Sequence, residues 1–343
     1  MFAAFWDSVS TEPRVLPVGG EATDVNDLGH LSLSSYTAMF WSEKTGVIDC
    51  GVLAGATISQ ARRMNDLDQI SGLCYLFTGS TPIFWSFETG MLNMGDLPGG
   101  GDNGVANDIN NAGIAVGWSE SDIGGRGFLW DIANGIRPIP AGADGNWIVD
   151  ANAINELDQV AGSDAFTGAA MWDPVEGIIP AGTLPYPHNG NAYAMGINDR
   201  GQMVGPSFKR VWPPPPPNTP LIQAFLWDRE HGMRRISDLI AAGTPPIDAD
   251  IGFAWDINNR GQIACRNNID SGLVLTPFFL GDMNCDDLVN AFDIDPFVLY
   301  LSEPAAYAAE YPNCAGRWPA DANQDGVVNN FDIDAFVELL EGQ

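Results

Sequence analysis

The chain has 343 residues, of which 45% are hydrophobic and 10% aromatic, so it is long enough for one large core and a small appended module. Lys and Arg number 15 against 44 Asp and Glu, and the formal net charge of -29 argues against nucleic acid or an anionic membrane as a partner. No segment approaches the roughly 20 consecutive apolar residues of a membrane-spanning helix, and the first residues lack the basic and apolar regions of a secretion signal.

A segment of the type AMGINDRGQMVG recurs along most of the chain. Each copy contains a small residue, an apolar residue and an Asn, followed by a tight reversal of the type N-D-x-G and an apolar strand. Gly or Asp stands where the reversal needs a positive φ, which is typical of a β-hairpin. The copies begin at Ala22, Ala61, Ala106, Ala151, Ala194 and Ala254.

A second signature, an aromatic run that ends in Trp, follows most of these hairpins and leads into a Gly and another apolar strand. One full unit therefore predicts two hairpins, or four strands, which is the content of one blade of a β-propeller. The units recur about every 40 to 60 residues, close to the usual propeller period. The Trp residues of this signature are Trp41, Trp85, Trp130, Trp172 and Trp227.

The sequence leaves two blade counts open. The first residues carry only the second half of a unit, with Trp6 in the aromatic place, and the apolar segment LVLTPFF after the sixth hairpin contains no Trp. We favour seven blades with the first truncated, and we expect that residues of a longer protein precede this chain. The alternative is six blades with the N-terminal strands closing the last one, since an open propeller would expose strand edges. The longest interval holds an insertion with prolines at 213–217, which predicts a projecting loop.

The repeat resembles the extracellular HAF (His-Ala-Phe) repeat family over roughly residues 1–278. The A-x-x-[IVM]-N-[DNE]-x-[GD]-[QHI] element and the later A-F-x-W element carry the resemblance, although the His is absent here, since Gln223 precedes Ala224. The resemblance implies an extracellular β-propeller-like domain, residues 1–280, without an assigned chemistry. It names an architecture rather than a reaction.

The repeats contain no pattern that identifies catalytic residues. The repeated Asn and Trp are interpreted as architectural, because an Asn side chain caps a turn and a Trp fills the space between blades. Carboxylate pairs, such as Asp66 with Asp68 and Asp248 with Asp250, are interpreted as turn residues, although they would suit glycoside hydrolysis if they faced one cleft. The G-x-G-x-x-G match at 99–104 leads into a hairpin instead of a helix and therefore predicts no dinucleotide site.

The C-terminal residues 281–343 differ in character. Two 12-residue segments, 282–293 and 321–332, carry Asp or Asn at positions 1, 3, 5, 9 and 12. This is the spacing of a calcium-binding loop, whose alternating side chains point inward and supply the oxygens that a hard cation prefers, with a backbone carbonyl at position 7. The predicted ligands are Asp282, Asn284, Asp286, Leu288, Asn290 and Asp293 in the first loop and Asp321, Asn323, Asp325, Val327, Asn329 and Asp332 in the second.

Each loop leads into a predicted helix with the same apolar stripe at offsets of three, four and seven residues. We expect the two helices to bury their stripes against each other. Metal ions and, if Cys285 and Cys314 are bridged, a disulfide would support a core that is small for independent folding. The stripes are Ile294, Phe297, Val298 and Leu301 in the first helix and Ile333, Phe336, Val337 and Leu340 in the second.

A loop followed by a helix, duplicated and with Asp at position 12, resembles the dockerin module over about residues 281–342. The resemblance implies a small all-α, EF-hand-like module that binds two Ca²⁺ ions and docks to a cohesin-like or other scaffold protein. Position 6 of the first loop is Asp287 instead of Gly, so we expect loop 321–332 to be the more secure site. Positions 10 and 11 argue against a cellulosomal cohesin as partner, because they hold Ala291, Phe292, Asn330 and Phe331.

These patterns together predict a mainly β propeller followed by a calcium-loaded helical module, in a protein that is extracellular or on the cell surface. We expect a non-catalytic attachment protein whose module docks to a surface or scaffold partner and whose propeller binds a glycan or a protein. The alternative is a polysaccharide-degrading enzyme, tethered by the module, with acidic groups on the propeller face.

Overall fold

The computed structural model describes residues 2–5, 14–185, 190–209, 222–240, 250–268, 271–277, 279–286, 288–312, 314, 317–323 and 325–341. Trp6, the prolines at 213–217, Asp248 and Asp287, which entered the predictions above, lie outside these residues.

The N-terminal half of the described chain forms a small two-stranded sheet and three four-stranded antiparallel sheets, which we call blades 1 to 3. The small sheet consists of β1 (Phe2–Phe5) and β2 (Arg14–Gly19). Blade 1 contains β3 (Glu21–Val25), β4 (Leu31–Ser34), β5 (Ala38–Ser42) and β6 (Gly46–Asp49). Blade 2 contains β7 (Ile58–Met64), β8 (Ile70–Tyr75), β9 (Ser80–Ser86) and β10 (Gly90–Asn93). Blade 3 contains β11 (Gly104–Ile109), β12 (Ala115–Ser121), β13 (Gly124–Asp131) and β14 (Gly135–Pro138).

Three further antiparallel sheets, blades 4 to 6, follow in chain order. Blade 4 contains β15 (Ile148–Ile154), β16 (Val160–Asp164), β17 (Ala169–Asp173) and β18 (Gly177–Gly182). Blade 5 contains β19 (Asn191–Ala192), β20 (Gly196–Ile197), β21 (Met203–Phe208), β22 (Ile222–Asp228) and β23 (Gly232–Arg235), and a 3-10 turn at Ile236–Asp238 follows it. Blade 6 contains β24 (Ile251–Ile257), β25 (Ile263–Asn267) and β26 (Gly272–Leu275).

The predicted hairpins are confirmed, because in each blade the strand before the repeated turn pairs antiparallel with the strand after it. The turn chemistry also agrees with the sequence. The two blades that lack Gly in the turn have Asp68 and Asp158 with φ of 59° and 60°. The Trp residues of the second signature are 5% to 7% exposed and lie in apolar clusters. Four of these clusters join blade 1 to 2, 2 to 3, 3 to 4 and 4 to 5, and a cluster without any of these Trp residues joins blade 5 to 6.

The six blades surround a central axis, because Arg63 of blade 2 donates across it to Asp256 of blade 6 at 3.1 Å. The structure is therefore a six-bladed propeller, and the seven-blade prediction is wrong. The strands β1 and β2 carry only half a unit and have no inner strand to place at the axis. They pair with each other, and Leu16 of β2 packs into the apolar cluster of blade 1. Among the described strands, neither of them pairs with blade 6, so the closure of that blade by N-terminal strands is not seen either.

The C-terminal segment is helical, with α1 (Ile294–Ser302), α2 (Pro304–Glu310), α3 (Arg317–Ala320) and α4 (Asp332–Glu341), and a 3-10 turn at Ala291–Asp293 precedes α1. Phe297 and Phe336 stack in its core with ring centroids 4.0 Å apart. A disulfide joins Cys285 to Cys314, with a Cα–Cα distance of 5.8 Å. In the described part of the chain, no helix has both the length and the apolar character needed to cross a membrane.

Each predicted helical stripe is buried in part: of its four residues one is buried, one is partly buried and two are exposed. Phe297 and Phe336 are 3% and 2% exposed, and Leu301 and Leu340 are partly buried. The other two residues of each stripe are exposed to solvent. The reason is that α2 contributes Tyr307 to the same core, where its hydroxyl donates to the carbonyl of Met283 at 2.8 Å. The exposed members are Ile294, Val298, Ile333 and Val337, at 43%, 55%, 41% and 43%.

Candidate functional site

In five blades a bulge in the inner strand lies beside the position whose side chains meet at the propeller axis in several blades. In five blades the register shifts between the repeated Ala and the residue two positions later, and such a bulge re-aims the side chains beside it. Arg63, at this position in blade 2, forms ion pairs with Asp24 at 3.4 Å and with Asp256 at 3.1 Å. The side chains from three blades thus meet at the axis.

The electrostatics of this axial cluster follow from its burial. Burial raises the pKa of Asp108 to about 7, although the Arg63 guanidinium and the N–H groups of Ile109 and Ile154 favour its charged form. Burial also raises the pKa of Asp24, against the same guanidinium and the Met64 N–H. The Arg63 guanidinium therefore interacts with several carboxylates, and each of these carboxylates also accepts a hydrogen bond from a backbone N–H. We interpret the cluster as a structural tie between blades.

The repeated Asn residues form a chain of hydrogen bonds from blade to blade. Each Nδ2 donates to the carbonyl of the Asn in the next blade, at 2.9 to 3.2 Å, in five successive steps from Asn26 to Asn258. The Oδ1 atom caps the Asn's own turn, as in Asn198, which accepts from the N–H groups of Arg200 and Gln202. The five donors are 2% to 9% exposed. Their predicted architectural role is confirmed, but the link between blades was not foreseen from the sequence.

The residue after each Asn continues this pattern. Its backbone N–H donates to the side chain of the corresponding residue in the next blade, at 2.8 to 3.0 Å. The five steps run from Asp27 to Asn259. Two parallel sets of bonds therefore hold each turn to the next one around the axis.

Both sets stop at the junction of blades 6 and 1, which we call the open junction. Among the described residues, no hydrogen bond joins Asn258 or Asn259 to Asn26 or Asp27. Asn258 is exposed, and its Nδ2 donates only to Gln262 within its own turn. No apolar cluster of the described residues joins these two blades. The ring of turns is therefore interrupted at one place out of six.

A cavity of about 560 Å³ lies at this end of the axis and reaches the open junction; we call it the turn-face cavity. Its wall is polar, with three carboxylates and one guanidinium among several amides, and three Ile side chains contribute apolar surface. Among the described residues, no Trp, Tyr or Phe lines it. The charged groups are Asp27, Glu156, Asp199 and Arg260.

The blade-to-blade bonds predict unequal effects for two matched substitutions. Asn198→Ala removes a buried donor to the next blade as well as a turn cap, so we expect a loss of about 2 to 3 kcal/mol in the free energy of unfolding. Asn258→Ala removes only the cap of an exposed turn, and we expect about 1 kcal/mol. Urea denaturation of both variants measures the difference. Equal losses would mean that the bond between blades contributes nothing.

The two C-terminal loops share one hydrogen-bonding pattern. The carboxylate at position 12 accepts from N–H groups near both ends of its loop: Asp293 from Asn284 and Asn290 at 3.0 and 2.8 Å, and Asp332 from Asn323 and Asn329 at 3.2 and 2.8 Å. Side chains at positions 3, 5 and 9 each accept from the N–H two residues later. The predicted ligand residues therefore shape both loops in the same way.

Buried carboxylates lie at both ends of each loop. The carboxylates at positions 1 and 12, Asp282, Asp293, Asp321 and Asp332, are at most 5% exposed. Asp321 Oδ1 is buried and has no hydrogen-bond partner. A buried carboxylate oxygen without a partner is costly unless a cation or a donor meets it, so the second loop fits a calcium ion.

Other observations limit this fit. Among the described residues, no three His, Cys, Asp or Glu side chains are gathered in an arrangement that holds a metal. The side chains of Asp286, Leu288, Asn323, Asp325 and Val327 are exposed, and those of Asn284, Asn290 and Asn329 are partly buried. The structure thus gives the loop scaffold and one unpartnered oxygen, while the complete ligand set stays a prediction.

A duplicated apolar surface flanks the loops. The same positions of the two halves are exposed to nearly the same extent: Leu288 and Val327 at 61% and 59%, and Phe292 and Phe331 at 78% and 80%. With the exposed helix residues Ile294, Val298, Ile333 and Val337 they form what we call the docking face. The sequence had indicated Phe292 and Phe331 only as departures from a family pattern.

Comparison with solved structures found proteins of low similarity, one of them described as a β-propeller domain. The tricorn protease matches with 15% identity and a TM-score of 0.42 over 70% of this chain and 24% of that chain. The β-propeller domain of the Trilobed protease from Pyrococcus furiosus, described as having an open velcro topology, matches with 12% identity and a TM-score of 0.41 over 75% and 82%. Dipeptidyl peptidase 4 from Porphyromonas gingivalis matches with 10% identity and a TM-score of 0.38 over 70% and 34%.

This chain spans only 24% of the tricorn protease chain and 34% of the dipeptidyl peptidase chain. Because the similarities are low, the propeller assignment rests on the strand pairing described above. Comparisons with family models and with curated proteins found no match.

Proposed function

We propose that this chain is an extracellular, non-catalytic attachment protein. Its dockerin-like module, residues 281–343, binds two Ca²⁺ ions and docks to a surface or scaffold protein, while the propeller, residues 1–280, binds a glycan or a protein. The disulfide between Cys285 and Cys314 is compatible with an oxidising compartment outside the cell. No specific observation in the described residues favours the alternative of a tethered polysaccharide-degrading enzyme.

The observation that carries the proposal is the docking face. Eight apolar side chains, equivalent in pairs between the two halves, are 41% to 80% exposed. Exposed apolar side chains that recur at the same positions of both halves are typical of a site that a partner covers. Since the side chains at the start of each helix follow directly on a calcium loop, calcium bound by the loop would fix their positions.

In this proposal each calcium ion is held by the Asp and Asn oxygens at positions 1, 3, 5, 9 and 12 and by the carbonyl oxygens of Leu288 or Val327. The ion supplies the positive charge that the buried carboxylates require. The Asp side chains at position 5 also contribute to the turn geometry, because one oxygen of Asp286 and one of Asp325 accept a backbone N–H two residues later.

The proposal predicts calcium-dependent docking through the two Phe residues. The full chain, immobilised in the presence of Ca²⁺, is expected to retain a surface or scaffold protein, and EGTA is expected to release it. The double variant Phe292→Ser, Phe331→Ser removes two large apolar contacts, so we expect retention to fall by about a hundredfold. Quantitative pull-down followed by mass spectrometry measures the loss.

Phe77→Ser is the matched control, because Phe77 is fully exposed on the propeller and lies outside the docking face. It is expected to leave retention unchanged. Capture that persists in EGTA, or that the two Phe substitutions of the docking face do not weaken, would contradict docking by this module.

A further inference from the structure

The open junction leaves hydrogen-bonding groups without the partners that they have at the other five junctions. At those junctions the residue after the repeated Asn donates its backbone N–H to the next blade. The acceptor is the side chain of the equivalent residue in that blade. At the open junction Asp27 and Asn259 are both exposed and line the turn-face cavity. Among the described residues, the Asp27 carboxylate and the Asn259 N–H have no hydrogen-bond partner, whereas the Asn259 side chain donates to Asp199. The donor and the acceptor that would form this bond at a closed junction therefore both belong to the wall of the turn-face cavity.

The type of these groups restricts the ligand. A carboxylate accepts and an N–H donates, so a group that does both at once can join them, as a hydroxyl does. An ammonium ion would satisfy Asp27 but offer nothing to the Asn259 N–H or to the Arg260 guanidinium. An anion would meet Asp27, Glu156 and Asp199 on the same wall. A neutral ligand with neighbouring hydroxyls satisfies both kinds of group.

The cavity provides further groups for such a ligand. Arg260 carries donors in a planar fork that fits two adjacent oxygens; it lines the turn-face cavity and also a second cavity with Asp286 and Glu310 of the C-terminal segment. Amide side chains of the wall both donate and accept. The volume of the turn-face cavity, about 560 Å³, lies within the usual range for small-molecule sites. The Ile side chains offer apolar surface to the C–H face of a sugar ring, in the absence of an aromatic residue on the wall.

We infer that the turn-face cavity binds a saccharide unit, whose adjacent hydroxyls bridge Asp27 to Asn259 and Arg260 and so close the ring of turns between blades 6 and 1. This inference deepens the proposed function, since it names the propeller site and the ligand class. Because the ligand in the cavity joins the first and last blades, its binding also stabilises the folded propeller. Binding takes place at the propeller and does not require calcium.

The experiment measures binding of the full chain to cellohexaose, xylohexaose, mannohexaose and laminarihexaose by saturation-transfer NMR and calorimetry. At least one is expected to bind and to raise the melting temperature of the propeller, with or without EGTA. Asp27→Ala and Arg260→Met are each expected to weaken binding about tenfold, the loss of one good hydrogen bond. The matched control is Arg200→Met, since Arg200 follows Asp199 as Arg260 follows Asn259 but does not line the cavity.

Two results would overturn the inference. One is that no saccharide of the panel binds at concentrations up to about 10 mM, whereas lysine amide or acetate binds in a manner that depends on Asp27 or Arg260. The other is that a saccharide binds with equal affinity to the wild type and to both cavity variants. Neither result touches docking through Phe292 and Phe331, and loss of docking leaves saccharide binding unchanged, so the two proposals fail separately.

Discussion

On addition of EGTA to the calcium-loaded full chain, we expect the melting temperature of the C-terminal module to fall by roughly 15 °C or more, while the propeller transition stays in place. A ligand present at about a thousand times its dissociation constant stabilises a fold by about 4 kcal/mol, and 1 kcal/mol shifts a domain of this size by about 4 to 8 °C. The module has a small core, and the loss leaves the carboxylates of Asp282, Asp293, Asp321 and Asp332, all at most 5% exposed, without a cation.

Differential scanning calorimetry measures this shift, and hydrogen exchange of residues 281–341 locates it. The disulfide between Cys285 and Cys314 stays intact in EGTA, so the effect of metal removal is separate from that of reduction. The matched variants are Asp325→Ala and Asp286→Ala, each at position 5 of its loop. We expect Asp325→Ala to lower the calcium-dependent part of the shift more, because its loop has Gly326 at position 6 with φ of 86°. A melt that is the same with and without chelator would remove calcium from the proposal.

The repeat pattern was sufficient to predict the blades because the information in it is local. The Asn, the reversal and the Trp run fix two hairpins per unit whatever surrounds them, and even the Asp residues at positive φ could be placed. The blade count could not be predicted in this way, because it depends on which half-units contribute an inner strand at the axis. The sequence of β1 and β2 matches an outer hairpin, and only their pairing with each other showed that they make no seventh blade.

The candidate sites show the same limit. All six copies carry the repeated Asn, so nothing local distinguishes Asn258, which has no partner in a following blade, from Asn198, which has one. The open junction is a property of ring closure and has no signal in a single repeat. Similarly, helical periodicity identified the apolar stripes of the module but gave no indication that Tyr307 from α2 would share their core and leave Val298 and Val337 in solvent.

The raised pKa values of two acidic groups at the propeller axis predict that the stability they contribute falls as the pH rises. In the folded chain the pKa of Asp108 is about 7 and that of Asp24 is also raised, so the folded state holds these protons more tightly than the unfolded state. Stability from these groups is therefore present at low pH and lost as the pH rises from about 4 to about 7. Carboxyls with lowered pKa, such as Asp164 and Asp173, lose their contribution only below about pH 4.

Arg63→Met is expected to enlarge this dependence. At pH 8 it removes the cation that faces the axial carboxylates Asp24, Asp108 and Asp256. Because the Arg63 side chain is 27% exposed and that of Asp256 47% exposed, we expect a loss of about 2 to 3 kcal/mol, below that of a fully buried pair. At pH 5 Asp108 is protonated in the folded state and carries no charge to compensate, so the loss is expected to fall to about 1 kcal/mol.

Urea denaturation of both proteins between pH 5 and pH 8 measures the difference, in a range where the carboxyls with lowered pKa stay charged. Arg62→Met serves as the control, because this exposed neighbour has no ion pair in the described part of the chain, and we expect it to change stability by less than about 0.5 kcal/mol at either pH. An Arg63 variant that loses the same free energy at pH 5 and pH 8 would show that its side chain contributes packing instead of charge. In that case the first and last blades would be held at the axis without an electrostatic tie, and closure of the turn face would depend on whatever occupies the open junction.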